Sequence, residues 1–273
     1  MARRDTAVEE NEFEHEIPFE AYGVRVALST NDSNLLEPLR TVVPPGAQPC
    51  EASEVTRTFA LKAGDHGTYT LIRNGDTLTQ GIDLRFALTL LDSQLRLYVG
   101  VRAPDTVFVH AGAVAHRDRA IVMPGASFAG KTTLVAALVG AGATYYSDEF
   151  AVIDEEGLLH PYAKALSLRD GGVEQAHHPL ESLGWTPGTE PLPVGMIAVT
   201  SYRPGAEWNP RRLSSGEGAM ALLARAVPAR ERPAQVMRAL SRATAGAIVL
   251  ESERGDASEL APLLLGELEQ AAV

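Results

Sequence analysis

The 273-residue chain carries a single cysteine, Cys50, which excludes an internal disulfide framework, and no Cys/His spacing resembles a structural zinc site. No window holds the uninterrupted apolar run of about 18 residues that a membrane span needs. Arg3 and Arg4 lead directly into Glu9, Glu10, Glu12, Glu14 and Glu16, a run that reads as a flexible acidic arm and lacks the apolar segment of a signal peptide. A reducing, cytoplasmic setting is expected, without a membrane partner. Positive charge is also short. The net charge is -11, and phosphate-backbone binding needs clustered Lys and Arg, so nucleic acid is excluded as an expected partner. Lysine is scarcest: Lys62, Lys131 and Lys164 are the only three, which gives weight to where each one stands. There is no internal repeat and no low-complexity segment.

What is present suffices for a proper core, since 45% of residues are hydrophobic. The spacing predicts two parts, 1–104 and 105–273. In the first, residues 22–28 alternate as a strand, 34–43 have helical spacing, and 58–61 and 68–79 read as strands, the latter turning at Asn74-Gly75. A helix is expected over 83–99, where apolar residues recur at helical intervals, and Ala103-Pro104 marks the boundary. This part is a small α+β unit with no catalytic constellation.

The second part opens with an apolar strand, 106–116, a polar turn at Arg117-Asp118-Arg119, and a strand at 120–123. A helix over 131–139 is stopped by Gly140-Ala141-Gly142, and 144–153 returns as a strand. Further on, strands are expected at 196–201 and 247–251 and helices at 216–226, 233–242 and 257–268. The alternation makes this an α/β domain.

Between the second strand and the first helix stands Gly125-Ala126-Ser127-Phe128-Ala129-Gly130-Lys131-Thr132, a match to GxxxxGK[ST] in the strand-loop-helix setting that a phosphate-binding P-loop requires. By chance such a match would arise roughly a few times in a thousand chains of this kind. Glycines at both ends let backbone N–H groups curl around phosphate oxygens, and the following helix adds its positive end. Lys131 would reach the β- and γ-phosphates and the Thr132 hydroxyl would meet Mg²⁺, with Thr133 counted among the nucleotide-binding residues. ATP with Mg²⁺ is therefore expected. The competing reading is a glycine-rich turn whose lysine is merely exposed.

Asp148 and Glu149 follow 17 and 18 positions after Lys131, with one helix and one tight turn between. That crossover brings them beside the phosphate loop. On a strand, neighbouring side chains point to opposite faces, so one of the two acids should face the triphosphate, and Asp148 is the better candidate. It could hold the metal's water or accept a proton from an attacking hydroxyl; Glu149 stays a candidate for the metal. The alternative is a solvated pair at a strand start.

His110-Ala-Gly-Ala-Val, the glycine loop, and the run from Gly142 to Asp148-Glu149 together resemble the HPr kinase/phosphorylase family. The resemblance implies an HPr kinase/phosphoenolpyruvate carboxykinase-like P-loop core behind a small N-terminal α+β domain, and transfer of the γ-phosphoryl group of ATP to a serine of a protein. It also implies Asp148 as general base, His110 as a histidine assisting near the acceptor, and Arg212 as a catalytic arginine. Without it, His110 would read as a core histidine and Arg211-Arg212 as a solvated face. Members of the family form rings, so a homo-oligomer is compatible with it.

The chain departs from the pattern at Glu149, where the family has aspartate, at Thr132, where it has serine, and over 164–171, where Ser167 stands in place of a glutamate. These departures leave ATP handling intact and the phosphoacceptor open: a protein, a peptide or a small molecule. An ATPase or carboxykinase-like enzyme and a non-catalytic ATP-sensing adaptor are the rival readings. The pair His177-His178, with His160, lacks ligand spacing and reads as a solvated loop.

Overall fold

The computed structural model describes residues 13–125, 130–169 and 175–271. The chain divides into two compact units, Met1–Pro104 and Asp105–Val273. Both are mixed α/β, each built on its own sheet.

The first unit contains β1 (His15–Ala21), β2 (Val24–Thr30), α1 (Leu36–Arg40), β3 (Gln48–Pro49), β4 (Arg57–Ala63), β5 (Tyr69–Arg73), β6 (Asp76–Ile82) and α2 (Leu84–Arg102). Its sheet runs β3-β1-β2-β4-β5-β6, antiparallel except between β2 and β4. The acidic run ends sooner than its composition suggests. Glu16 already lies on β1 opposite Ser29, because Phe19 and Ala21 are buried partners for a second strand; Glu9, Glu10 and Glu12 fall outside the described residues. The helix expected over 34–43 shrinks to one short turn at α1, where the Thr41 hydroxyl donates back to the Pro38 carbonyl at 2.7 Å, a local bond that competes with helix propagation. α2 starts where expected. The Asp83 side chain accepts from the Phe86 N–H at 2.9 Å, and Ala87, Leu91, Leu95 and Val99 form the buried stripe.

The second unit contains β7 (Thr106–His116), β8 (Arg119–Pro124), α3 (Lys131–Gly140), β9 (Thr144–Ser147), β10 (Phe150–Asp154), β11 (Leu158–His160), β12 (Leu166–Arg169), β13 (Gln175–His178), β14 (Leu192–Tyr202), β15 (Arg211–Leu213), α4 (Ser215–Leu223), α5 (Pro233–Ala245), β16 (Ile248–Arg254) and α6 (Ala257–Gln270). The main sheet runs β11-β10-β7-β8-β14-β16-β15, with β9 added along β7. β14 is parallel to β8 and β16, and the other pairs are antiparallel. Two apolar layers follow from strand alternation. Val114, Ile121, Met123 and Leu250 face α3 and α6, while Val109, Ala113, Val122 and Val249 face α4 and α5.

Three expectations are corrected. His177 and His178 lie on β13, paired in a hairpin with β12 rather than in a loop. His160 lies on β11 rather than in a loop and is tied to Asp154 by a 2.7 Å contact. The helix expected over 216–226 is α4, which has a complete capping box between Ser214 and Glu217 and stops at Leu223. Residues beyond its end pair with β7 instead, through an antiparallel bridge between Val109 and Ala226. No helix among the described residues is long and apolar enough to cross a membrane.

Candidate functional site

β7 and β8 form the hairpin that delivers the chain to Gly125, and α3 carries it away from Gly130. Gly130 takes a left-handed φ of 74° and caps α3, a conformation that side chains other than glycine rarely adopt. A second constraint acts on it: a Cβ at this position would come within 2.6 Å of the Arg254 guanidinium. At the other end of the helix footing, Gly112 lets α3 settle on β7, since a Cβ there would meet Val135 at 2.7 Å. Ala126, Ser127, Phe128 and Ala129 lie outside the described residues.

The first turn of α3 supplies the polar groups. The Lys131 Nζ donates to the Gly125 carbonyl at 3.1 Å, so the side chain folds back over the start of the segment that it ends. Burial lowers the Lys131 pKa, Asp148 raises it, and Arg225 lowers it again. The Thr132 hydroxyl donates to Asp148 Oδ2 at 2.9 Å. Thr133, one position on, is exposed. The first amides of a helix have no intrahelical acceptor, so this turn offers N–H groups and partial positive charge.

The strand expected over 144–153 is broken at Asp148-Glu149, which separate β9 from β10. Ser147 is the cause: its hydroxyl accepts from the N–H groups of both Glu149 and Phe150, at 3.1 and 3.0 Å, closing a turn that replaces ladder bonds. The two acids consequently differ in a way strand alternation does not describe. Asp148 is 9% exposed and points at Thr132, whereas Glu149 is half-buried and its carbonyl accepts from the Ala111 N–H at 3.2 Å.

Asp148 has a second donor that sequence reasoning missed. The Tyr145 hydroxyl lies 2.9 Å from Asp148 Oδ1 and 3.1 Å from the Lys164 carbonyl. Burial raises the Asp148 pKa, against the lowering by Tyr145, Thr132 and, less strongly, Lys164. The Tyr145 hydroxyl is itself pushed up, by burial first and then by the neighbouring carboxylate. Two of the three lysines in the chain thus act on one carboxylate.

His110 is exposed on β7, with its ring 4.6 Å from that of Phe150 in a tilted stack, so it is not a core histidine. Its backbone ties the site together: its carbonyl accepts from the Gly125 N–H at 3.3 Å and its N–H donates to the Arg225 carbonyl at 2.9 Å. Arg212 stands elsewhere. It is exposed on β15 opposite Leu250, four positions before Arg254 on β16, which is about 13 Å along a strand. Arg254 is the arginine that closes the base of the site, 3% exposed, donating to the Gly130 and Gly255 carbonyls at 3.1 Å each. Tyr145 stands in the run before Asp148, but its contact with the carboxylate is visible only in the fold, and Arg254 belongs to no motif, its role coming from tertiary neighbours alone.

No protein-family model matches the chain, and no curated protein matches it. Among solved structures, it is similar to the HPr(Ser) kinase/phosphatase from Coxiella burnetii, with 16% identity, 60% of this chain and 95% of that chain covered, and a TM-score of 0.35. A likeness that distant decides neither substrate nor reaction.

Proposed function

We propose that the second unit is an ATP-dependent phosphotransferase of the HPr kinase-like class, transferring the γ-phosphoryl group to a hydroxyl, with serine as the first candidate, on a protein, a peptide or a small molecule. The observation that carries this reading is the convergence of Lys131, Thr132 and Asp148 on the start of α3, directly after the glycine segment. Phosphate needs donors and positive charge, which the helix start, Lys131 and the glycine backbone would supply. The Thr132 hydroxyl and the Asp148 carboxylate are hard oxygen donors of the kind Mg²⁺ takes, and Glu149 is within one residue of them. When bound, Mg²⁺ contributes neutralisation of charge on the phosphate oxygens.

In the reaction so assigned, the acceptor oxygen forms a bond to the γ-phosphorus while the bond to the β–γ bridging oxygen breaks, and ADP leaves with that oxygen. The acceptor's proton goes to a carboxylate. Asp148 suits this task because burial raises its proton affinity and Tyr145 and Thr132 fix its orientation. His110, exposed on β7, would assist near the acceptor. The net charge of -11 supports an acceptor other than nucleic acid.

The test is incubation with γ-labelled ATP and cell extract, with Lys131→Ala alongside. Labelled product that disappears in the variant is expected, with binding or transfer down by orders of magnitude and the fold intact. Phosphate release without phosphorylated product would identify an ATPase. Tight ATP binding without turnover would identify a nucleotide-sensing adaptor, and unchanged affinity and turnover in Lys131→Ala would remove the reading altogether.

A further inference from the structure

β16 presents alternate side chains to α3 and α6, and Leu250 belongs to the apolar layer on that face. Two strand periods later the same face ends at Arg254, the last residue of the strand, in register with Tyr202 at the end of β14. The buried guanidinium forks there between two helix starts. One nitrogen donates to the carbonyl of Gly130, the N-cap of α3, and another to the carbonyl of Gly255, which precedes Asp256, the N-cap of α6, at 3.1 Å each. The Gly130 carbonyl also accepts the first helical bond of α3, from the Leu134 N–H at 3.1 Å, so the guanidinium takes its second lone pair. The Tyr202 ring centroid lies 5.4 Å from the guanidinium carbon. The Ala206 carbonyl packs so closely on Gly255 that a Cβ there would meet it at 2.7 Å.

We propose, resting on the phosphotransferase reading, that Arg254 is a positioning residue for the nucleotide: buried beneath Gly130, it fixes the pose of Lys131 and Thr132 without touching the phosphates. An apolar side chain would continue the layer begun at Leu250 without desolvating a charge, so packing alone does not account for an arginine here. What the arginine adds is a rigid planar fork that spans two carbonyls, which a single ammonium does not reproduce. The carbonyl it holds belongs to the residue directly before Lys131, and that residue has a left-handed φ of 74°. A Cβ on Gly130 would come within 2.6 Å of the same guanidinium nitrogen. Gly130 and Arg254 therefore constrain each other, and together they set the direction in which α3 leaves, with Lys131 and Thr132 on its first turn. The Thr132–Asp148 bond ties that turn down from the other side.

The test is calorimetry of Mg²⁺-ATP and Mg²⁺-ADP binding, which needs no knowledge of the acceptor and reads the affinity of the folded molecules separately from their fraction, given by the stoichiometry. Arg254→Met should weaken both nucleotides roughly tenfold to a hundredfold at undiminished stoichiometry, the size of effect that a displaced binding group produces. Both should suffer alike, because the β-phosphate that Lys131 reaches is common to them. Arg254→Lys, which keeps the charge and one donor, should recover part of the affinity, and it decides the matter if Arg254→Met does not fold. Leu240→Ala, a cavity in α5 on the opposite face of the sheet, is the control: it should lower the melting temperature and leave both affinities as in the parent. A double-mutant cycle with Gly130→Ala checks the route, since effects passed through Gly130 should give the double variant a loss smaller than the product of the single losses. If the Arg254 variants lower only the melting temperature or the stoichiometry while Lys131→Met weakens both nucleotides, the proposal fails and the phosphotransferase reading survives. Losses that multiply in the cycle would also overturn it, by showing that Arg254 acts independently of Gly130. If the parent binds neither nucleotide, both readings fail together.

Discussion

Thr132 and Asp148, sixteen residues apart in sequence, are joined by a 2.9 Å hydrogen bond in which the hydroxyl donates to the carboxylate. The bond links the first turn of α3 to the break between β9 and β10, so it fixes the one buried acid of the site against the residue expected to meet Mg²⁺. Thr132→Ala removes a donor from a buried carboxylate, which costs about 1–3 kcal/mol of stability. Metal-dependent ATP affinity should fall with it. Thr132→Ser keeps the hydroxyl and should retain both within small factors. Denaturation midpoints and Mg²⁺ titrations of ATP binding check the pair.

Asp148→Asn separates chemistry from binding. As the acceptor's base, Asp148 should be dispensable for Mg²⁺-ATP affinity, within roughly a factor of ten, and needed for transfer, which should drop by about 10² to 10⁴. Loss of metal-dependent binding would instead place Asp148 in the metal shell.

Stability should respond to pH at the same residue with a sign opposite to that of a salt-bridged aspartate. The folded-state pKa of Asp148 is raised above its ordinary value, chiefly by burial. The folded state therefore holds this proton more tightly than the unfolded state. Its contribution to stability is fully present below the unfolded pKa and is lost as pH rises through the folded pKa. Glu217 and Glu269 run the other way, their pKa values lowered by hydrogen bonds from Ser214 and His116. The isolating measurement is the difference between parent and Asp148→Asn in urea midpoint across the mildly acidic range. The variant should gain relative to the parent as pH rises, and a flat difference would show that the carboxylate is not desolvated.

Gly112 gives a packing test of the same architecture. A valine there would drive its side chain into Val135, met at 2.7 Å by a Cβ alone, and push α3 off β7. Overpacking of this kind costs about 1–3 kcal/mol. Because Lys131 and Thr132 ride on α3, nucleotide affinity should fall together with the melting temperature, and a melt lowered without loss of affinity would show that α3 tolerates the shift.

Local patterns were enough to read β7, β8, α3 and α2, since each has its own period and its own stop signal within a few residues. The glycine-lysine segment was legible for the same reason. β12, β13 and β15 were not, because each is only three or four residues long, too short to show a period, and is a strand by virtue of the partner it pairs with. The break at Asp148 was hidden too: Ser147 looks like any strand residue until its hydroxyl is seen taking two backbone N–H groups. Arg254 stands far from the glycine segment in sequence, and only the end of β16 brings it to Gly130.

Tyr145 offers the sharpest test of how the buried carboxylate is tuned. Its hydroxyl stands between Asp148 Oδ1 and the Lys164 carbonyl, with both acceptors in reach, and the residue is fully buried. One hydroxyl proton cannot be given fully to both, so in Tyr145→Phe one acceptor loses its donor outright and the other loses a shared one. The ring and its packing, including the tilted contact with Trp185 at 5.8 Å, are kept. The stability cost should be about 1–3 kcal/mol, that of an unsatisfied buried acceptor. The direction of the functional effect follows from charge. The tyrosine donates to the ionised form of Asp148 and lowers its pKa, so removing it should raise that pKa further. If Asp148 is the base, the acid limb of the pH-rate profile should move to higher pH in Tyr145→Phe while the rate on the plateau is largely kept. Were the tyrosine only a packing element, stability would fall and the acid limb would stay where it is in the parent. Measuring transfer across pH in parent and variant, with melting temperatures taken at each pH, separates the two outcomes.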